Sequence, residues 1–338
     1  MRVFIAGASG ALGAQLVPQL VADGHEVVGM TRTVSKQEAL AALGARPVVA
    51  DALDPEAVAR AVAQAEPEVV VHQLTALSGA VDMRHVDRYF AATNRLRTEG
   101  TDHLLAAARA VGTRRVVAQS YAGWPFARTG GPVKRETDPL DPDPPRALRS
   151  TLDAIRHLEQ AVTGIRWAEG LVLRYGAFYG PGTSLSLDPE AAMAKPVRRR
   201  QFPLIGGGGG VWSFVHVEDA ASATVAAAER GPSGIYQVVD DEPAPVREWL
   251  PALAAAIGAK PPRRVPRWLA RLLAGEAGVA LMTEIRGASN AKAKRDLGWT
   301  LRYPTWREGF RAAYGSAEPS SRTAGGGRSS VSFQSSPR

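Results

Sequence analysis

The sequence contains no cysteine, which removes disulfide frameworks, thiolate metal sites and cysteine nucleophiles together. It also lacks any apolar run approaching the roughly 18 residues that a membrane-spanning helix needs. Where a secretory signal would place its cleavage region, the chain already reads as a strand, Arg2 to Ala6, so a cytoplasmic protein with no membrane partner is expected. No G-x-S-x-G elbow is present, which argues against a Ser-His-Asp hydrolase. His72 and His157 have no carboxylate or second histidine at ligand spacing, so no metal site is expected.

What is present is the composition of an ordinary globular protein: 338 residues, 45% hydrophobic and 22% charged, enough for one large domain with a lobe. The net charge of +8 comes from 41 Lys and Arg spread among 33 acidic residues. Two denser basic runs, Lys195 with Arg198 to Arg200 and Arg263, Arg264 and Arg267, read as solvated surface; the first also suits an anionic group on a substrate. Neither lies in a nucleic-acid-binding motif, so a small-molecule substrate is the expected partner.

Short apolar runs alternate with helical patterns: Val3 to Ala6, Val27 to Met30, Pro47 to Val49, Val69 to Val71, Val116 to Ala118 and Gly170 to Leu173. This is the βαβ rhythm of a parallel sheet. Between the first two runs, Leu12, Leu16 and Leu20 with Val17 and Val21 recur at helical spacing, and Asp23-Gly24 ends the helix. The loops Asp138 to Pro145 and Gly206 to Gly210 are expected over the carboxyl ends of strands, where α/β proteins bind ligands. From Gly315 to Arg338 the chain is Ser-, Gly- and Arg-rich and reads as a disordered tail.

The first strand runs directly into Gly7-Ala8-Ser9-Gly10-Ala11-Leu12-Gly13, a G-x-x-G-x-x-G turn that opens the first helix. Small residues there admit a tight turn and let backbone N–H groups approach a pyrophosphate, while the helix N-terminus adds a favourable field. The expected fold is therefore α/β, a Rossmann doubly wound parallel sheet with a small C-terminal α/β substrate lobe. The second run ends Met30-Thr31-Arg32. No carboxylate is placed there to accept bonds from a ribose 2′-OH, and Arg32 can hold a 2′-phosphate, so NADP(H) is expected over NAD(H). Asp51, with Ala52, follows the third run and suits the adenine amino group.

Further motifs follow in order: Asp51-Ala52-Leu53-Asp54, Asn94 with Gly100-Thr101, Arg174-Tyr175-Gly176 through Gly182, Ser213 to Asp219, and Asp296-Leu297-Gly298-Trp299. Over residues 1–314 the chain resembles the extended short-chain dehydrogenase/reductase superfamily, in its NAD-dependent epimerase/dehydratase-like branch. The resemblance implies a substrate lobe formed mainly by 177–300, cofactor contacts near Gln73 and Leu74, and nicotinamide near Ser120 and Tyr175. It also implies a structural role for His216 and a homodimer through helices around 94–110 and 151–163.

One departure from the family is informative. Its catalytic Tyr-x-x-x-Lys pair uses the lysine to lower the pKa of a proton-exchanging tyrosine. Here the seven tyrosines, at 89, 121, 175, 179, 236, 303 and 314, are followed at that spacing by Thr, Pro, Tyr, Thr, Asp, Arg and Glu. With Glu159 matched to the family's glutamate, Thr151 and Ile155 take the two positions. The expected function is an NADP(H)-dependent oxidoreductase, reductase or reverse dehydrogenase, of a small carbonyl compound. Ser120 would orient the oxygen, and Tyr121 or an ordered water would deliver the proton. A nucleotide-sugar epimerase or dehydratase and a non-catalytic NADP(H)-sensing regulator are the alternatives.

Overall fold

A computed structural model describes residues 1–77, 85–188 and 191–315; the expected disordered tail lies outside the described residues except for Gly315. Seven strands form one parallel sheet: β1 (Arg2–Ala6), β2 (Glu26–Thr31), β3 (Arg46–Val49), β4 (Val69–His72), β5 (Arg115–Tyr121), β6 (Glu169–Tyr175) and β7 (Gly234–Val238). Their order across the sheet is β7-β6-β5-β4-β1-β2-β3. The chain thus winds outward in one direction from β1, then returns to continue outward from β4, which is the doubly wound arrangement expected. The reversal places a crevice at the carboxyl ends of β1 and β4.

The inner strands β1, β2 and β4 read as near-continuous apolar runs because both faces of the sheet are covered there. Val3 and Ile5 face one helical layer, α1 (Ala11–Ala22), the short α2 (Gln37–Ala42) and α8 (Val217–Glu229), while Phe4 and Ala6 face the other; the short α7 (Ala194–Arg198) packs Val197 into a cluster of later residues. That second layer contains α3 (Pro55–Ala65), α4 (Val86–Arg97), α5 (Glu99–Ala110) and α6 (Arg149–Thr163). Helix α6 packs Leu158 and Val162 against Val116, Ala118 and Val172, so the apolar stripe seen in its sequence is used against β5 and β6.

A separate apolar cluster is built from later residues, including Tyr179, Phe214, Trp249, Leu250, Trp306 and Phe310. Residues 217–238, by contrast, return to the main sheet as α8 and β7. Asp219 ties the two regions together: its carboxylate accepts the backbone N–H groups of Arg302 at 2.8 Å and Tyr303 at 2.9 Å.

Candidate active site

The turn between β1 and α1 is shaped by its glycines. Gly7 has φ +89°, and a Cβ there would lie 2.7 Å from the carbonyl oxygen of Gln73. A Cβ on Gly13 would lie 2.0 Å from the Ala8 carbonyl oxygen, so only glycine lets α1 start this close to the turn. The Gly7 and Ala8 N–H groups both donate to Met30 O at 3.2 Å, and Ser9 Oγ meets Thr31 Oγ1 at 3.1 Å, which fastens the turn to β2. The N-terminus of α1 carries no side-chain cap and no acidic residue in its first turn. A helix end left in this state suits a pyrophosphate, whose charge its N–H groups and dipole both favour. A Cβ on Gly182 would lie 3.8 Å from Ala11, so the loop after β6 lies against the start of α1.

Arg32 is exposed immediately beyond β2, and Lys36 is exposed in the single turn Val34–Lys36 that follows. Asp51 is exposed beyond β3 and accepts Leu53 N–H at 3.0 Å, with buried Ala52 beside it. At the end of β4, the Leu74 N–H donates to His72 Nδ1 at 3.2 Å. His72 Nε2 is then the protonated nitrogen and donates to Thr101 Oγ1 at 3.0 Å, whose hydroxyl donates to Arg97 O at 2.7 Å. Burial pushes the His72 imidazole down to about 4, so it is neutral and holds the Gln73–Leu74 turn in place. Gln73 donates to the Tyr175 hydroxyl at 3.3 Å, and Tyr175 contacts Thr224 Oγ1 at 2.7 Å. Tyr175 is a buried strut, and burial drives its phenol upward.

Helix α6 carries Thr151 and Ile155, the two residues that the match through Glu159 sets against the family's tyrosine and lysine. Thr151 is fully buried and accepts a hydrogen bond from Asn94 Nδ2 at 3.1 Å; Ile155 is buried in the apolar stripe. Glu159, one turn further, forms a buried double pair with Arg174 at 2.7 and 2.6 Å and accepts the Ser120 hydroxyl proton at 2.7 Å. Ser120 and Arg174 are register partners on β5 and β6, so both point to the α6 side, where the carboxylate sits. Tyr121, the next residue on β5, projects to the opposite side of the sheet. The structure therefore does not bring the two expected catalytic hydroxyls to one face. Burial pushes the Tyr121 phenol up to about 12, the reverse of what a lysine neighbour does to a catalytic tyrosine.

The remaining candidates have structural partners. His216 caps α8 by accepting the Glu218 N–H at 3.2 Å, and a Cβ on Gly180 would come within 2.5 Å of its ring. Tyr179 is fully buried against His216, Phe214 and Phe310. Arg198 of the basic run donates to the carbonyls of Leu187 and Asp188, both at 3.1 Å. A cavity of about 540 Å³ lies between the loop after β5 and the C-terminal lobe, with Arg128, Asp141, Glu284 and Arg286 in its wall.

Sequence reasoning missed Arg97. It lies on α4 at 7% exposure, one turn beyond Asn94, and its Nη1 is buried with no hydrogen-bond partner among the described residues. The available signal was its spacing from Thr93: the two are four apart and share the buried stripe of α4.

The family model described as "NAD dependent epimerase/dehydratase family" matches residues 3–238. A 3-diazoavenalumate denitrifying reductase from a Streptomyces species is 49% identical over 311 residues, covering 92% of this chain and 99% of that protein. A 4-hydroxy-2-methyl-3-oxo-4-farnesyl-3,4-dihydroquinoline-1-oxide ketoreductase from Stigmatella aurantiaca is 30% identical, covering 77% and 74% of the two chains. Among solved structures, the UDP-glucose 4-epimerase of Thermus thermophilus in complex with NAD superposes with a TM-score of 0.69 at 26% identity, covering 93% of this chain and 98% of that one.

Proposed function

Because this chain belongs to the NAD-dependent epimerase/dehydratase family, we propose that it is an NADP(H)-dependent reductase whose acceptor requires hydride but no acid from the protein, an aryl diazo compound being the class that fits best. It is an NAD(P)-dependent oxidoreductase of the short-chain dehydrogenase/reductase type. The cradle made by Gly7, Gly10 and Gly13 fits the cofactor pyrophosphate, and exposed Arg32, with exposed Lys36 four residues further on, favours a 2′-phosphate. When bound, the cofactor supplies the hydride.

The observation that carries this reading is the replacement of the proton donor. Thr151 and Ile155, matched through Glu159 to the family's tyrosine and lysine, are both buried. The Ser120 proton is engaged by Glu159, and Tyr121 is a weakened acid on the other side of the sheet. Ketone reduction leaves an alkoxide that must be protonated. Exchange of a diazo group for hydrogen has no such demand: an arenediazonium and a hydride give an arene and N₂, with charge and electrons balanced. The chain's own residues then have to orient the acceptor and exclude water. The Streptomyces relative, by its name, removes nitrogen from a diazo compound. Reduction of a small ketone is the second reading. The Stigmatella relative favours it, and there the Ser120 oxygen, still able to accept, would position the substrate together with a water.

The test is cofactor oxidation with NADPH and NADH over a panel of aryl diazonium salts, ketones and nucleotide sugars. The reading predicts turnover of a diazo acceptor with NADPH preferred and one N₂ released per NADPH consumed. Turnover confined to nucleotide sugars would refute it, and silence with every acceptor despite measured NADPH binding would point to the regulator.

A further inference from the structure

Helices α4 and α6 run side by side in the same direction, with Asn94 bonded to Thr151. One turn on, Arg97 lies beside the stretch that carries Ile155 and Glu159, and the carboxylate whose field reaches it is that of Glu159. Glu159 is already satisfied, since Arg174 holds both of its oxygens and Ser120 donates to one of them. His72, whose pKa Arg97 also lowers, is neutral and contributes no charge. Among the described residues, two buried guanidinium groups therefore share one carboxylate, which leaves one unit of positive charge in excess around the Glu159 site that Ser120 also joins. A buried cation without a hydrogen-bonded counter-charge is strongly disfavoured unless something else supplies the acceptor. The Arg97 Nη1 has no such acceptor among the described residues.

We propose that Arg97 is the fixed cation of the active site, presented from α4 in place of the lysine that α6 has lost to Ile155, and that it takes an anionic oxygen of the substrate. The substrate class is then an aromatic acid or phenolate that bears the reducible group, rather than a neutral compound. This rests on the reductase reading for what is bound there, but the charge excess does not depend on turnover. Arg97 acts as a binding and positioning residue, because a guanidinium stays protonated and donates no proton in the reaction.

The test uses the NADPH-loaded full chain and calorimetric titration with cinnamate and its uncharged methyl ester, on wild type, Arg97→Lys and Arg97→Gln. A charge-assisted bond of ordinary strength corresponds to about 10- to 100-fold in affinity. Wild type should prefer the acid by that factor, Arg97→Lys should keep much of the preference, and Arg97→Gln should lose it. Equal binding of acid and ester by wild type would overturn the proposal even if Arg97→Gln does not fold. So would an undiminished preference in Arg97→Gln. If that substitution instead weakens NADPH at least tenfold and leaves acid and ester unchanged relative to one another, the cation serves the cofactor and the proposal also fails. Absence of turnover with preserved acid selectivity would count against the reductase reading alone.

Discussion

Replacing Glu159 by Gln is expected to destabilise the protein far more than its conservative size suggests. Glu159 and Arg174 have side chains only 5% and 4% exposed, and the pair is bidentate. Removing the carboxylate strands Arg174 and Arg97 together in a buried site, and breaking one partner out of a buried pair costs about 3–5 kcal/mol. An unfolding entropy of about 2.1 cal/mol/K per residue gives about 0.7 kcal/mol/K for a chain of this length, so Tm should fall by about 4 to 7 °C. Arg174→Met should cost less, because Arg97 remains as a counter-charge for Glu159. The double variant Glu159→Leu/Arg174→Met should recover part of the loss of Glu159→Gln alone. Urea unfolding monitored by circular dichroism, with Tm as a second reading, measures all three. A cost below about 1 kcal/mol for Glu159→Gln, or one equal to that of Arg174→Met, would show that the charge balance described here is wrong.

Three other outcomes follow from the same geometry. Gly13→Ala should lose at least about tenfold in NADPH affinity, about 1.4 kcal/mol, because the new Cβ meets the Ala8 carbonyl 2.0 Å away; fluorescence titration of NADPH measures it. Arg32→Glu should raise KM for NADPH by about 10- to 100-fold while leaving NADH unchanged or improved, and unchanged NADPH kinetics would remove Arg32 from the cofactor site. His72 titrates at about 4 in the fold against 6.5 in the unfolded chain, so the unfolded state takes up a proton first as pH falls. Its share of stability is present above pH 6.5 and is lost as pH falls from there towards 4. At pH 5 the loss amounts to about 2 kcal/mol, and His72→Gln should flatten that part of the curve in urea unfolding at pH 7 and 5.

The parts legible in the sequence are those encoded locally. Seven consecutive residues, Gly7 to Gly13, specify the turn between β1 and α1, and the six apolar runs all fall within observed strands. The seventh strand, Gly234–Val238, escaped because Gln237 is fully buried within it and breaks the apolar run. The network around Ser120 was only half visible. Glu159 and Arg174 stood in recognisable motifs, but nothing in the sequence shows that β5, β6 and α6 bring them to Ser120. Arg97 resembled an ordinary basic residue in the last turn of a helix, where such residues favour the dipole, and only its burial distinguishes it. Tyr121 was attractive as the residue next to Ser120, yet adjacency along a strand places side chains on opposite faces.

The measurement that bears most directly on the central claim is the fate of the transferred hydrogen. With NADPH carrying deuterium at the transferable position, an aryl diazonium acceptor and ordinary water, the product should be an arene that holds the cofactor deuterium at the carbon that bore the diazo group. Hydrogen drawn from solvent at that carbon would mean that a proton enters the reaction after all, and would contradict a hydride transfer that needs no acid.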